Sequence, residues 1–480
     1  MIAEAPAAIG GTGTAAVLRN RPFLLLWLSQ LATQVGSNMV LYGLTVVVLD
    51  STNLSSAVSL LFLTFLVPAV LFSAVAGVFV DRLDRRLVLV TTNILRAGVL
   101  VAIWAVGPDV SMILLLNIVV SALTVFFAPA EAAMIPHLVP RHQLVSANGL
   151  FTLTLNGAFA LGYALLGPLI VKVSGGPAPV ILVVAVLYAI SAIFCLTLPS
   201  NPPTDAPDEP LGPVHSAEIA VHGTFSQLGE GAAYIRSNRA ISWSLIYLGI
   251  AASLVGVIGV LGPKFAQATL GLGTQDLILV VLPLGTGIVM GVLILNSYGR
   301  YVPRRRAIEG GLIALGLLLA ALTIAGPVSR ALAGATSLVS DVGAVTTLVA
   351  VVIVMAFLAG IAYGIVAISS QTQLQEDLPE EVRGRVFGVL NMLVSVGSFL
   401  PIIIVGPISD LIGTTQVLLI VAALILVSGV ASIVKRGHLM PAEELATAET
   451  MLHGTAMDPI GLARRSDDGP GRTSEPDTRD

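Results

Sequence analysis

The residues of this chain that could do chemistry are a few charged side chains within or beside long apolar runs. Glu131 and Asp81 are carboxylates that could bind and release a proton, whereas Asp50 and Asp410 stand where apolar runs end and could be simple polar stops. Arg96 lies inside an apolar run, where a guanidinium needs a polar partner. Side chains of a helix lean toward its N-terminus, so we expect the guanidinium to reach toward Asp81 or Glu131. An ion pair that fixes one conformation and a charge relay that responds to protonation both remain open.

A second group consists of amides and hydroxyls that recur at helical spacing within the apolar runs. Steps of three, four or seven residues place such side chains on one face of a helix. A polar stripe of this kind either lines a water-filled cavity or hydrogen-bonds to neighbouring helices. We predict a lining role for a central cavity, with interhelical bonding as the alternative, for Gln30, Gln34, Asn38, Asn117, Ser121, Thr124, Asn156, Tyr247, Asn391 and Ser395.

The elements that must position these residues are membrane-spanning helices. Apolar residues make up 55% of the chain and charged residues 11%, against about 25% charged residues in soluble domains. Predominantly apolar runs of about 18 or more residues with few or no charges predict transmembrane helices. Twelve runs qualify: 23–49, 54–80, 87–107, 110–134, 145–171, 177–198, 240–263, 277–298, 307–326, 345–370, 385–409 and 414–434.

Landmarks in the first half of the chain recur in the second half at one constant offset. The matching pairs are Pro140 with Pro379, Gly149 with Gly388, and Gly167-Pro168 with Gly406-Pro407. We therefore predict an all-α membrane protein of two pseudo-symmetric six-helix bundles. The predicted organisation is a cytoplasmic segment at 1–22, bundles at 23–198 and 240–436, a Pro-rich linker at 199–239 and a disordered polar tail at 437–480.

The positions of lysine and arginine predict which loops face the cytoplasm. With the N-terminus inside, most of these residues fall on the cytoplasmic side, and the other side holds only Lys172, Lys264 and Arg330. This asymmetry is the one that membrane insertion favours. We expect both termini in the cytoplasm and the protein in a plasma membrane.

The segment Gly77-Val-Phe-Val-Asp-Arg-Leu-Asp-Arg-Arg86 lies between the second and third runs, and its charges must sit at a membrane face. Its spacing resembles the signature that the major facilitator superfamily carries between helices two and three. The family usually has glycine where this chain has Asp84, which leaves the geometry of the turn open. The resemblance implies a gating role for Gly77, Asp81, Arg82, Arg85 and Arg86.

The fifth run carries a glycine-rich stretch that includes Gly162, Gly167 and Pro168. It resembles the stretch ending in Gly-Pro of the superfamily's drug antiporters, and ordinary close packing of helices is the alternative. Residues 127–136 and 378–388 resemble the bacterial efflux branch that includes macrolide-efflux and enterobactin-exporter types. Both resemblances imply export.

The resemblance implies a secondary transporter that works by alternating access, with no cofactor and the proton gradient as energy source. The coupling candidates are Glu131, Arg96, Asp50 and Asp410. We expect a small amphipathic substrate, a lipid bilayer around a monomer, no nucleic-acid partner and no metal site. Uptake or export of one metabolite or siderophore is an alternative, and a non-transporting sensor or scaffold is another. We expect no enzyme, because clustered acids or histidines are missing from the apolar runs.

Overall fold

The computed structural model of this chain describes residues 14–202, 239–270, 278–299, 302–335, 341–377, 397 and 399–434. All of them except Val434 belong to one compact unit, Met1–Ile433. The linker from 203 to 238 and the tail beyond 434 lie outside the described residues, so the predicted domain organisation stays a prediction there.

The first half contains six spanning helices, preceded by a short helix at Thr14–Leu18. They are α1 (Arg21–Thr52), α2 (Ser55–Asp81), α3 (Arg85–Val106), α4 (Val110–Leu138), α5 (Leu144–Ala158, continuing through Phe159–Leu166 and Gly167–Ser174) and α6 (Ala178–Leu196).

The second half contains α7 (Arg239–Leu270), α8 (Ile278–Tyr298), α9 (Arg304–Ala335), α10 (Asp341–Asp377), α11 (Phe399–Ile412) and α12 (Thr414–Val434). Eleven of the described helices are long and apolar enough to cross a membrane. The shorter α11 is the described end of the run predicted at 385–409. The predicted all-helical membrane fold is confirmed.

Two boundaries differ from prediction in the second half. The prediction ended helix nine at 326 and began helix ten at 345, but α9 extends to Ala335 and α10 begins at Asp341. The sequence Ser-Arg-Ala-Leu-Ala-Gly-Ala at the end of α9 is rich in strong helix formers, which continue a helix beyond the apolar run. Most of the long loop expected at 327–344 is therefore helical.

Local sequence signals explain where several helices begin and end. Asn20 and Asp109 accept hydrogen bonds from the first-turn amides of α1 and α4, as N-cap residues do. Helix α1 ends at Asn53, a non-glycine residue with a φ of 54°. Asparagine tolerates this left-handed conformation better than most residues, so α1 and α2 join through a very short connection.

Helix α5 changes its winding in the middle. Residues Phe159–Leu166 form a wider π-helical segment, immediately before Gly167 and Pro168. Proline has no amide hydrogen to donate to the preceding turn, and π-helical segments are a common accommodation where the regular ladder is interrupted. Because of this change, α5 presents Gly162 and Tyr163 at its buried face.

The hydrophobic core is shared at one membrane face and divided at the other. We call the face of the Arg82–Arg86 turn the turn face, and the face of Asn53 and Gly413 the far face. One cluster runs from the middle to the far face and includes side chains of both halves, such as Leu61 and Ile402. Two further clusters lie toward the turn face; among the described residues, each belongs to one half.

Candidate functional site

Arg96 on α3 is the largest fully buried side chain among the described residues. Its guanidinium donates to Asn93 Oδ1 on the same helix and, at 3.4 Å, to Thr124 Oγ1 on α4. The guanidinium carbon also lies 4.4 Å from the ring centre of Phe127 and 4.6 Å from that of Tyr188. Aromatic faces attract cations, most strongly where water is excluded. Among the described residues, Arg96 is thus held as a buried cation without a carboxylate in direct contact.

Glu131 is the carboxylate that interacts electrostatically with Arg96. It is buried on α4, and Arg96 acts on it electrostatically. Within the described part of the chain the two side chains form no ion pair, and Glu131 Oε1 has no hydrogen-bond partner. The expected direct ion pair is therefore absent, because Asn93 and two aromatic rings hold the guanidinium. Asp81, the other expected partner, is exposed at the end of α2.

Two side chains of the predicted stripe on α4 bond to a neighbouring helix, whereas Asn38 on α1 bonds within its own helix. Asn117 Nδ2 donates to Thr64 Oγ1 at 2.8 Å, and Ser121 Oγ donates to the carbonyl of Phe65 at 2.5 Å, so α4 is tied to α2. On α1, Asn38 donates to the carbonyl of Gln34. These contacts correspond to the interhelical alternative at Asn117, without excluding access from a cavity elsewhere.

A cavity in the first half does contact the stripe of α4. Ser121 and Thr124 line it together with Ser37 and Tyr188. Thr124 and Tyr188 also contact Arg96, so the buried cation lies directly behind the cavity wall. Gln30 is buried, and its Oε1 has no hydrogen-bond partner among the described residues. The side chain of Asn156 and the residues Asn391 and Ser395 lie outside what the structure describes.

A second cavity lies between the two halves and is lined by apolar and aromatic side chains. Its aromatic part is built by Tyr42 on α1 and by Phe159 and Tyr163 on α5, with Phe265 and Tyr363 from the second half. The rings of Phe159 and Tyr163 are stacked at 5.1 Å, and Tyr42 meets Tyr163 edge-on at 5.5 Å. Such a lining suits a ligand with apolar or aromatic surface.

In the turn between α2 and α3, Asp84 replaces the expected glycine without strain. Its φ is −61°, and its side chain caps α3 by accepting from the amide of Arg86 at 2.9 Å. It also accepts from the hydroxyl of Ser200 and the amide of Asn201. Partial burial raises the pKa of the Asp84 carboxyl, but the hydrogen bonds from Ser200, Asn201 and Arg86 outweigh it and lower that pKa overall.

The remaining charged side chains of this turn differ in their surroundings. Arg85 contacts His137 Nε2 at 3.4 Å, and Arg86 donates to the carbonyl of Leu196. Asp81 and Arg82 are exposed, and Gly77 is half-buried with open space beside its Cα. The turn therefore joins the ends of α3, α4 and α6 and leaves Asp81 and Arg82 at the surface.

Comparison with known proteins decides the family. Residues 26–402 match the Major Facilitator Superfamily. The chain belongs to this superfamily. A multidrug efflux pump, Tap, of Mycobacterium tuberculosis is 25% identical over 86% of this chain and 93% of its own length. An MFS-type transporter of the same organism is 27% identical over 83% of this chain and 88% of its own length.

Solved structures of the major facilitator fold superpose on most of the chain. The nucleoside transporter NupG matches with a TM-score of 0.65 at 14% identity, covering 86% of this chain and 98% of its own. A bacterial homologue of the lysosomal transporter Spinster, in an inward-facing conformation, matches with a TM-score of 0.61 at 15% identity. The match covers 86% of this chain and 96% of the homologue. At these identities the likeness supports the fold alone, and the family match makes this chain a multi-pass membrane transporter.

The glycines of α5 in this major facilitator protein pack against α1. A Cβ added at Gly162 would lie 2.8 Å from that of Asn38 and against the carbonyl of Val35, and one added at Gly167 would lie 2.9 Å from the ring of Tyr42. Pro168 follows at the start of the last segment of α5. The stretch therefore brings α5 close to α1 beside the aromatic cavity, which corresponds to the close-packing alternative.

Asp410, a predicted coupling candidate, joins the two halves of the major facilitator fold at the far face. Its carboxylate accepts from the amides of Ser55 at 2.9 Å and Ser56 at 2.8 Å, and from Lys264 Nζ at 2.6 Å. The residue before α2, Leu54, offers no side-chain cap, so a carboxylate from the other half caps this helix. We call this set the far-face latch.

Asp50, the other candidate at the far face, is exposed near the end of α1. Its side chain shares a hydrogen bond with Gln267, near the end of α7. Asp50 and Asp410 therefore each contact the opposite half of the protein, which is more than a polar stop needs. Sequence reasoning missed the latch because Ser55 and Asp410 are far apart in the chain.

A buried carboxylate in the second half was also missed. Glu309 on α9 is 1% exposed, pairs with Arg305 at 3.2 Å and accepts from Ser432 Oγ at 2.8 Å. Ser432 also bonds the hydroxyl of Tyr247, which was predicted to line a cavity. Glu309 is the single charge in the run predicted at 307–326, and an arginine precedes it by four residues. Those two signals were sufficient to find it.

Proposed function

We propose that this major facilitator protein exports small amphipathic compounds across the bacterial plasma membrane in exchange for protons. The observation that carries the proposal is the arrangement of Arg96 and Glu131, two buried charges that interact without direct contact. Ionisable groups inside a membrane protein are costly and mark functional positions. The turn face is assigned to the cytoplasm, in agreement with the lysine and arginine distribution.

Glu131 is proposed as the group that carries the proton. Burial disfavours its charged form, whereas the nearby guanidinium favours it, so small movements of α3 against α4 would change its proton occupancy. Asn93, Phe127 and Tyr188 hold Arg96 through contacts that do not involve the Glu131 carboxyl. The cation therefore remains in place as the proton enters and leaves.

The aromatic cavity between the halves is proposed as the substrate site. Tyr42, Phe159 and Tyr163 offer ring surfaces, and the cavity lining is almost wholly apolar. This favours uncharged or amphipathic compounds over strongly ionic ones. The relative named as a multidrug efflux pump supports export as the direction.

Alternating access is supported by the division of the core. The shared cluster and the latch close the far face, while the turn-face clusters belong to separate halves in the described part of the chain. This arrangement corresponds to a state closed to the outside. The proposed cycle opens the far face, releases substrate and takes up a proton.

The test uses everted membrane vesicles with an imposed proton gradient and an amphipathic fluorescent dye as substrate. Vesicles that contain the wild-type protein should accumulate the dye and release protons when the dye is added. A protonophore should abolish both effects. Glu131→Gln should reduce proton-coupled accumulation at least tenfold. The matched control is Asp109→Asn, because Asp109 is exposed at the other end of α4 and asparagine caps as well as aspartate.

Full dye accumulation by Glu131→Gln, with the protonophore still effective, would assign coupling to another carboxylate. Accumulation that the protonophore leaves unchanged would reject proton coupling altogether. If wild-type vesicles move no dye of a varied panel, the amphipathic substrate class is wrong. A single-metabolite transporter or a non-transporting sensor would then replace it.

A further inference from the structure

An open groove runs along the second half of the protein, above α9 and between α8 and α10. Its floor is made by small residues of α9, Ala307, Gly310 and Ala314, and its walls include Tyr298 and Leu358. A Cβ added at Gly310 would meet no atom within 4 Å. The neighbouring α8 and α10 carry larger side chains at this level, so α9 forms the bottom of a channel.

The length of this groove matches one leaflet of a bilayer. It extends from Arg306 to Leu318 along α9, which is about 18 Å at roughly 1.5 Å per residue. The hydrocarbon core of a bilayer is about 30 Å thick, so one leaflet contributes about 15 Å. A single acyl chain that enters from the turn face would therefore lie along the groove to about the bilayer midplane.

The end of the groove at the membrane face is positively charged. Arg306 lines it and is exposed, and within the described part of the chain it has neither a hydrogen bond nor an ion pair. The neighbouring Arg305 differs, since it is engaged with Glu309. Tyr298, on the opposite wall, is 65% exposed at the level where tyrosines favour the membrane interface.

We propose that this groove binds one anionic phospholipid of the turn-face leaflet. The phosphate would pair with the guanidinium of Arg306, whose planar donors fit phosphate oxygens. One acyl chain would lie over Ala307, Gly310 and Ala314. Basic pockets between spanning helices recognise acidic head groups in this way. The proposal is independent of the transported substrate and of proton coupling.

The test is native mass spectrometry of the full-length protein in detergent, titrated with phosphatidylglycerol or phosphatidylcholine. Wild-type protein should retain one phosphatidylglycerol at least fivefold better than phosphatidylcholine. Arg306→Gln should remove this preference and leave weak binding of both lipids. Gly310→Leu should reduce binding of both, because its side chain would occupy the groove from a position where a Cβ meets no atom within 4 Å.

Two variants serve as matched controls. Gly98→Leu makes the same change on α3, where the glycine is also exposed and has open space beside it. Arg141→Gln removes an exposed arginine from the same membrane face in the first half. Equal loss of lipid in Gly310→Leu and Gly98→Leu, or equal loss of preference in the two arginine variants, would overturn the proposal. A dimer that Gly310→Leu dissociates would assign the groove to a second copy of the chain instead.

Discussion

Asp84 shows how one side chain can replace the conformational freedom of a glycine with hydrogen bonds. Its backbone is in an ordinary extended conformation, and its carboxylate binds the start of α3 and the residues that leave α6. The departure from the family signature therefore adds a connection between the turn and the beginning of the linker at Ser200 and Asn201.

Removing this carboxylate should destabilise the protein modestly. We expect Asp84→Ala to cost about 1 kcal/mol, the usual value of an N-cap, and to lower the midpoint of thermal unfolding in detergent. Asp84→Asn should lose less stability, since asparagine is also a favourable N-cap residue. An unchanged midpoint for Asp84→Ala would show that the contacts with Arg86 and Ser200 contribute nothing to stability.

The effect of Asp84 should depend on pH in a defined direction. Its folded-state pKa is lowered, so the charged carboxylate stabilises the fold above its unfolded pKa of about 3.9. That stabilisation is lost as the pH falls through the folded-state pKa. We expect the difference in unfolding midpoint between wild type and Asp84→Asn to be larger at neutral pH than near pH 3. A difference that grows on acidification would contradict the assignment.

The type and position of single residues identify members of the site in the sequence. The side chains that they contact could not be predicted. The sequence indicates Arg96 and Glu131, because charges in apolar runs are conspicuous. It does not reveal that Phe127 and Tyr188 hold the guanidinium, since that depends on how α4 and α6 are rotated. Glu309 was discoverable from its position and its spacing from Arg305, and was overlooked.

At the scale of helices, glycines determine how closely neighbours approach. Gly162 and Gly167 bring α5 against α1. Gly287 on α8 meets Gly360 on α10 almost backbone to backbone, and Gly291 and Gly364 lie against the backbone of Ile361 and Ile288 on the opposite helix. Small residues four apart allow this approach inside membranes. The positions of the apolar runs and the glycine spacing could be read from the sequence. The full lengths of α9 and α10 and the π-helical segment before Pro168 could not.

Adding one methyl group at a packed glycine of α5 should separate α5 from α1. We expect Gly162→Ala to cost about 1–3 kcal/mol, as overpacking does, because the new methyl would strike Asn38 and the carbonyl of Val35. The matched control, Gly157→Ala on the same helix, meets open space. It should be neutral or stabilising, since alanine favours helix by up to about 1 kcal/mol.

Thermal unfolding of both variants in detergent, beside the wild type, measures this difference. Equal midpoints for Gly162→Ala and Gly157→Ala would show that α5 and α1 adjust freely. The antiporter resemblance of the stretch would then lose its structural basis, since a close contact that tolerates a methyl group constrains little.

Across the whole molecule, the two halves carry matching polar clusters in their interiors. In the first half Ser29, Asn93 and Ser191 join α1, α3 and α6. In the second half Tyr247, Glu309 and Ser432 join α7, α9 and α12. The corresponding helices are connected in each half, so the internal repeat seen in the sequence extends to buried hydrogen bonds. The residues of the two clusters differ in type, so the sequence repeat would not have predicted this correspondence.

The far-face latch should control access from outside. Asp410→Asn removes the charge that binds Lys264 and caps α2, and hydrogen bonds to charged groups contribute about 1.5–3 kcal/mol each. We expect the far face to open more often. The measurement is the labelling rate of Ser59→Cys in a Cys195→Ser background, using a membrane-impermeant maleimide on whole cells.

Ser59 is buried and donates to the carbonyl of Ile402 across the halves, so labelling reports their separation. Asp410→Asn should raise the rate about tenfold. Asp109→Asn, at the same face but within the first half, should leave it unchanged. A rate that Asp410→Asn does not alter would mean that the apolar core alone keeps this face closed.

The shared core at the far face also sets a thermodynamic condition on turnover. Separating the two halves of this cluster, for example at Leu61 and Ile402, exposes apolar surface to water, at roughly 25 cal/mol per Å². A cycle that is fast in both directions needs a similar area to be covered at the turn face at the same time. Larger apolar side chains at the far face would therefore stabilise one resting state and slow the return step, without changing any contact to the bound substrate. Turnover rate is then a quantity that evolution can adjust at residues which never meet the transported compound.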